Sequence, residues 1–139
     1  MVEGTRVGYK VSREEYEAKY AGRRYEYVDG YAVPMGPEIE QNGEIIVSPT
    51  KSQHGVLALR IGALVLNFVL EHNLGMAFGA ETGFVMDAEG NIRAADVAFV
   101  SKARSAQVPP NGWIPFPPDL AVEIISDSER AGAIRDKAQ

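Results

Sequence analysis

The sequence predicts an α/β (α+β) fold, a mixed β-sheet flanked by helices. Three observations carry that expectation. The C-terminal two-thirds reads as helix, strand, strand, strand, helix in order. The helix in that series, Gln53 to His72, is apolar around most of its circumference. The last strand, Leu120-Ala121-Val122-Glu123-Ile124-Ile125, is an apolar run broken by one glutamate, the pattern of a buried central strand.

The bulk properties agree with one folded domain spanning residues 1–139. Of the 139 residues, 45% are apolar and 24% charged, which is ordinary for a folded chain. Surface scaling gives burial of roughly two-thirds of the unfolded chain's area, enough for a core without covalent staples. There are no cysteines, which excludes a disulfide scaffold, zinc–thiolate sites and thiol nucleophiles. The net charge of −5 excludes a basic surface for sequence-blind binding to nucleic acid. The start, Met1 to Lys10, has no apolar run of the kind a signal peptide needs. The most apolar stretch, Val56 to Leu70, is interrupted by Arg60 and Asn67, and the expectation is that it is too short and too polar to span a bilayer. A cytoplasmic protein with no membrane partner follows.

Each element has a local reason. Ser12 and Glu15 form an S-x-x-E capping box at the start of a helix running to about Tyr20, with Val11 and Tyr16 as a hydrophobic staple and Gly22 as its stop. Tyr25 to Val28, the turn Asp29-Gly30, and Tyr31 to Val33 make a β-hairpin signal. A second turn, Asn42-Gly43, leads into Glu44 to Val47. In the long helix, Leu57, Ile61, Leu64 and Phe68 share one stripe, and a helix apolar on most sides is expected to be covered on most sides. Strands are expected from Met76 to Met86 and from Ile92 to Val100. Val108 to Pro118 holds five of the eight prolines and must be an extended loop. A last helix starts near Ser128.

Two acids stand out. Asp96 and Glu123 are each a lone charge in a segment that otherwise reads as core, 27 residues apart. Burying an unpaired carboxylate costs several kcal/mol, so such groups are paired, protonated or bound to metal. Either acid alone reads more simply as an outward-pointing side chain. Two on neighbouring strands, about 5 Å apart in the pairing direction, would repel, and a hard divalent cation relieves that repulsion. By pattern alone, Glu26 and Glu44 are exposed residues beside hairpin turns, His54 is a helix cap or a hydrogen-bonded edge of the core, and Lys137 is a solvated helix residue. No P-loop, G-x-G-x-x-G or G-x-S-x-G pattern is present.

Several short motifs in order, Glu14-Glu15-Tyr16, Arg24 to Gly30, Ser48-Pro49 before His54, Ala95-Asp96-Val97 and Pro118 to Ser126, resemble the Uma-two family, bacterial proteins described as restriction endonucleases of the PD-(D/E)XK nuclease fold. The resemblance runs from about Ser12 to Lys137. It implies a restriction-endonuclease-like sheet with the N-terminal helix and hairpin as an addition. It also implies Asp96 and Glu123 as site acids, Glu26 as the hairpin glutamate, with Glu44 competing for that role, and Lys137 as a helix-borne lysine. In the implied reaction Asp96, Glu123 and the Ile124 carbonyl hold Mg²⁺ or Mn²⁺, Lys137 orients a water, and nucleic acid, DNA in the first instance, is the substrate. The chain departs from the family pattern at Ala95 and Asp127, where proline is usual, and at Ile125, which occupies the D/E-x-K lysine position. The family pattern continues past Gln139 through a helix and a strand. The expectation is therefore a C-terminally short fold with an exposed strand edge, and a homodimer. A second reading is a catalytically inactive relative that serves as an oligomeric or nucleic-acid-binding module; a third is a hydrolase of small phosphate esters using the same carboxylates.

Overall fold

The computed structural model describes residues 8–125. The chain divides into two compact units, Met1–Thr50 with Ile125–Gln139, and Lys51–Ile124. The architecture is α+β, with antiparallel sheets and helices, as expected of a restriction-endonuclease-like fold.

In the first unit, β1 (Tyr9–Lys10) pairs with β3 (Tyr31–Pro34), which pairs in turn with β2 (Tyr25–Val28). α1 (Arg13–Lys19) precedes β2 and starts where the capping box predicts: the Ser12 hydroxyl accepts the Glu15 N–H at 3.0 Å. The hairpin turn is also as predicted, with Asp29 and Gly30 both at positive φ (51° and 85°), the left-handed pair that Asp-Gly supplies at least cost. A separate hairpin, β4 (Glu38–Gln41) and β5 (Glu44–Val47), closes through Asn42-Gly43. Tyrosines tie the unit together. Tyr16 is buried and its hydroxyl donates to the Tyr25 carbonyl at 2.5 Å. The hydroxyls of Tyr9 and Tyr25 both donate to the Glu38 carboxylate.

The second unit opens with α2 (Ser52–His72), followed by β6 (Gly75–Phe78), β7 (Gly83–Val85), β8 (Ile92–Ala94), β9 (Val97–Ser101), α3 (Lys102–Ser105) and β10 (Leu120–Val122). β9 lies between β10 and β6, and β7 pairs with β8. Phe84, Ala98, Val100 and Ile114 are all buried and form a cluster, with Phe78, Met86, Val108 and Phe116 packed on it. Ile114 belongs to the proline-rich loop, which is extended as expected and reaches Phe84 through a parallel bridge.

Four expectations are corrected. The segments read as single strands at 76–86 and 92–100 are each broken in two, at Gly79–Thr82 and at Ala95-Asp96, so Asp96 sits at a bend rather than inside a strand. The central strand is β9, whose Val97, Ala98 and Val100 are at most 2% exposed. β10 is an edge strand among the described residues, and its Leu120 is 47% exposed.

The third correction is the face of α2. Its sheet-side stripe is His54, Ala58, Ile61, Gly62, Val65 and Val69, the residues of the helix that are not exposed. Small and β-branched side chains let the helix come close: a Cβ on Gly62 would lie 3.7 Å from the Val97 side chain. The larger Leu59, Leu64, Phe68 and Leu70 face outward at 57–76% exposure, so the helix is not covered on most sides.

Fourth, α2 has 21 residues, about 32 Å at 1.5 Å per residue, and is long and apolar enough to cross a membrane by length and composition. The expectation that its apolar stretch, Val56 to Leu70, is too short and too polar to span a bilayer does not hold for the helix as a whole. The last helix expected near Ser128 lies outside the described residues.

Gly75 carries a strict backbone requirement. Its φ is +148°, and a Cβ there would collide with the Val100 carbonyl and come within 2.8 Å of the Lys102 nitrogen. Both are main-chain atoms, of the central strand and of the helix that follows it. Gly75→Ala is expected to destabilise the protein by more than about 2 kcal/mol, read as a lower urea midpoint; an unchanged midpoint would show that β6 does not approach β9 as described.

Candidate active site

The site is built at the point where β9 begins and β10 ends. The register pairs Val97 with Val122, Ala98 with Ala121 and Phe99 with Leu120. Asp96 stands at the bend just before this ladder and Glu123 just past its end, so the two acids flank the same end of the strand pair. Asp96 is anchored twice to this segment. Its own N–H donates to the Val122 carbonyl at 3.0 Å, and its Oδ2 accepts the Ile124 N–H at 2.7 Å. Glu123 is half-buried, with Oε1 shielded from solvent, and Ile124 is 7% exposed. The two acids singled out by sequence are thus brought to one junction.

The position of β10 relative to β9 is reinforced at the other end of the ladder. Asp119 Oδ2 accepts the Ser101 N–H at 2.7 Å, and Asp119 Oδ1 meets Arg104 Nη2 at 2.9 Å. The same guanidinium donates to the Pro117 carbonyl and lies 4.4 Å from the centre of the Phe116 ring. The Ser101 backbone bond first, and then the Arg104 guanidinium, hold the Asp119 carboxyl below its ordinary value of 3.8.

The other predicted residues fall differently. Glu26, which by pattern reads as an exposed hairpin residue, is instead buried at 6% exposure, the one buried charged residue among those described. It belongs to the first unit, where burial, and next its charge, push the Tyr16 phenol up to about 12. Glu44 is exposed on β5, beside a cleft it lines with Arg23, Arg24 and Tyr25. Of the two competing glutamates, only Glu26 is in a desolvated setting. Lys137 lies outside the described residues.

One residue enters that the strand patterns did not single out. His54 Nε2 lies 3.4 Å from Asp96 Oδ1, both side chains being 16–17% exposed. A sharper signal lies in the sequence: His54, Ala58, Ile61, Val65 and Val69 recur at helical spacing, and small or β-branched residues on that stripe mark the side that can approach a sheet closely.

The donor chemistry at the junction suits a hard divalent cation. Asp96 and Glu123 are the carboxylates that flank this end of the ladder, and Asp96 Oδ2 keeps a second lone pair beyond the one taken by Ile124. Among the described residues no group of three or more His, Asp or Glu side chains stands assembled as a metal site.

Residues 38–139 match the model of the family Uma2, whose description is "Putative restriction endonuclease". No curated protein matches the chain.

The Asp119 clasp yields a pH test. A depressed folded value means its stabilisation is complete above the ordinary carboxyl value and is lost as pH falls through the folded value. Asp119→Asn is therefore expected to melt below the wild type at neutral pH, the gap closing as pH drops below about 3.8. A gap independent of pH would mean that the carboxylate charge contributes nothing to the clasp.

Proposed function

The chain belongs to the Uma-two family, which gives it a nuclease-type function with nucleic acid as substrate, and from that premise we propose a metal-dependent endonuclease that hydrolyses phosphodiester bonds, DNA first. The observation that supports this reading is that Asp96 and Glu123 flank the same end of the β9–β10 ladder, where the Asp96 carboxylate accepts the Ile124 N–H.

In this proposal Asp96, Glu123 and the Ile124 carbonyl hold Mg²⁺ or Mn²⁺. When bound, such an ion lowers the pKa of a ligated water and offsets charge building on the phosphate oxygens. Two carboxylates at one ion attract it more strongly than either does singly. The Ile124 N–H fixes one oxygen of Asp96, so the carboxylate is already oriented before substrate arrives. Lys137 as the water-orienting group enters from the family resemblance. The net charge of −5 also matters. A chain with that charge repels a phosphate backbone at long range, so productive contact depends on the cation at the junction, and a chelator should abolish binding as well as cleavage.

The proposal extends to a homodimer in the cytoplasm, in which the outward apolar face of α2 is covered by a second copy. Sedimentation showing a monomer at tens of micromolar would remove that part.

The direct test is Asp96→Asn with a supercoiled plasmid and Mg²⁺ or Mn²⁺. Cleavage is expected to fall by at least about 10²-fold while the melting temperature stays within a few degrees. Full activity in the folded variant would dismiss Asp96 from the reaction. If the folded wild type neither cleaves nor binds either ion, the second reading, a non-catalytic nucleic-acid-binding relative, takes its place.

A further inference from the structure

The outward side of α2 carries a charge pattern that the carboxylate site does not use. Arg60, Asn67 and Glu71 form a thin exposed stripe, with Leu59, Leu66 and Leu70 on one side of it and Leu57, Leu64 and Phe68 on the other. These six apolar side chains are 38–76% exposed. Arg60 and Glu71 are about 16 Å apart along the helix axis, too far for either to serve the other within one chain. Neither has an ion-pair partner among the described residues. The positions 60, 64, 67 and 71 follow the four–three–four step of a coiled-coil seam, and the seam is self-complementary in reverse. A two-fold axis between Val65 and Leu66 sets Arg60 level with the partner's Glu71, and Leu64 level with the partner's Asn67. A parallel pair would instead set Arg60 on Arg60 and Glu71 on Glu71. Asn67 and its copy would lie about 4.5 Å apart along the axis, where one amide can donate to the other, and a lone asparagine in such a seam fixes register. A lipid surface fits less well. Helices that lie on membranes are rich in Lys and Arg on their polar face, whereas this stripe balances one Arg with one Glu.

We propose that α2 docks antiparallel on α2 of a second copy, joined by two reciprocal Arg60–Glu71 ion pairs and the leucines beside them. The proposal rests on the homodimer put forward above and supplies its contact and register. The leucines and Phe68 provide the apolar area, and the charges select the antiparallel arrangement over the parallel one. The two His54 ends of the helices then lie about 35 Å apart along the axis, so each Asp96 stands at its own end of the helix pair.

The test is sedimentation equilibrium of the full chain at low ionic strength, for the wild type, Arg60→Glu, Glu71→Arg and the double variant. Each single reversal puts like charges together at both contacts and is expected to weaken the dimer by about tenfold or more. The double variant is expected to return to within about threefold of the wild type. An equimolar mixture of the two single variants is expected to associate more tightly than either alone, since each supplies the charge that the other lacks. A second readout leaves the seam untouched. The chain has no cysteine, so Gln53→Cys takes a single spin label. Antiparallel helices place the two labels about 40 Å apart, and parallel ones about 10–15 Å. A dimer with the short label distance, or one indifferent to both single reversals, overturns the antiparallel pairing and leaves the homodimer standing. A wild type that stays monomeric, whether free or floating with phosphatidylcholine vesicles, overturns both.

Discussion

Asp96 spends its backbone and its side chain on the same short piece of β10. The N–H goes to Val122 and Oδ2 receives the N–H of Ile124, so the residue bridges both sides of Glu123. The bend at Ala95-Asp96 makes this possible, because a residue held in an uninterrupted ladder would aim its side chain away from the strand plane and out of reach of its neighbour's main chain. The arrangement satisfies one carboxylate oxygen in a half-buried site and fixes Asp96 against the end of β10. The geometry proposed for a shared cation depends on that one double attachment. The Asp119–Arg104–Ser101 clasp secures the opposite end of the same two strands.

α2 shows how packing distance can outweigh hydrophobic size. Its sheet-side stripe is made of Ala58, Gly62, Val65 and Val69, with His54 at the leading end, while Leu59, Leu64 and Phe68 look outward. A leucine stripe would gain more buried area but would hold the helix farther off. The small stripe brings the helix within van der Waals contact of Val97 and thereby carries His54 to Asp96. The face that remains outside is apolar, and large exposed apolar surfaces generally mark a place where something else docks.

The first unit is organised by phenols and carboxylates rather than by aliphatic packing. Tyr9 and Tyr25 both bond Glu38, and Tyr16 is buried with its hydroxyl on the Tyr25 carbonyl. Burial raises the phenols of Tyr16 and Tyr25, and the nearby carboxylates add to it, so all three hydroxyls stay protonated donors well above neutral pH. Arg24 adds a bond from its guanidinium to the Ser48 carbonyl. The buried charge of Glu26 is thus set in a unit already rich in hydroxyl donors.

What short-range chemistry settles could be read directly from the residues. The Ser12 cap, the Asp29-Gly30 and Asn42-Gly43 turns, the span of α2 and the extended proline loop are each decided within a few residues, by a hydroxyl, a left-handed φ or a helical repeat. The two acids were legible too, because a lone charge in an apolar run stands out in any pairing. Tertiary structure decided the rest. It chose β9 over β10 as the inner strand, broke two long strands at Gly79–Thr82 and Ala95-Asp96, turned the smaller stripe of α2 inward, and buried Glu26. Those outcomes depend on which surfaces meet and how closely. Distance between residues far apart in the chain is what periodicity and composition do not encode, and so the approach of His54 to Asp96 emerged only once the helix lay on the sheet.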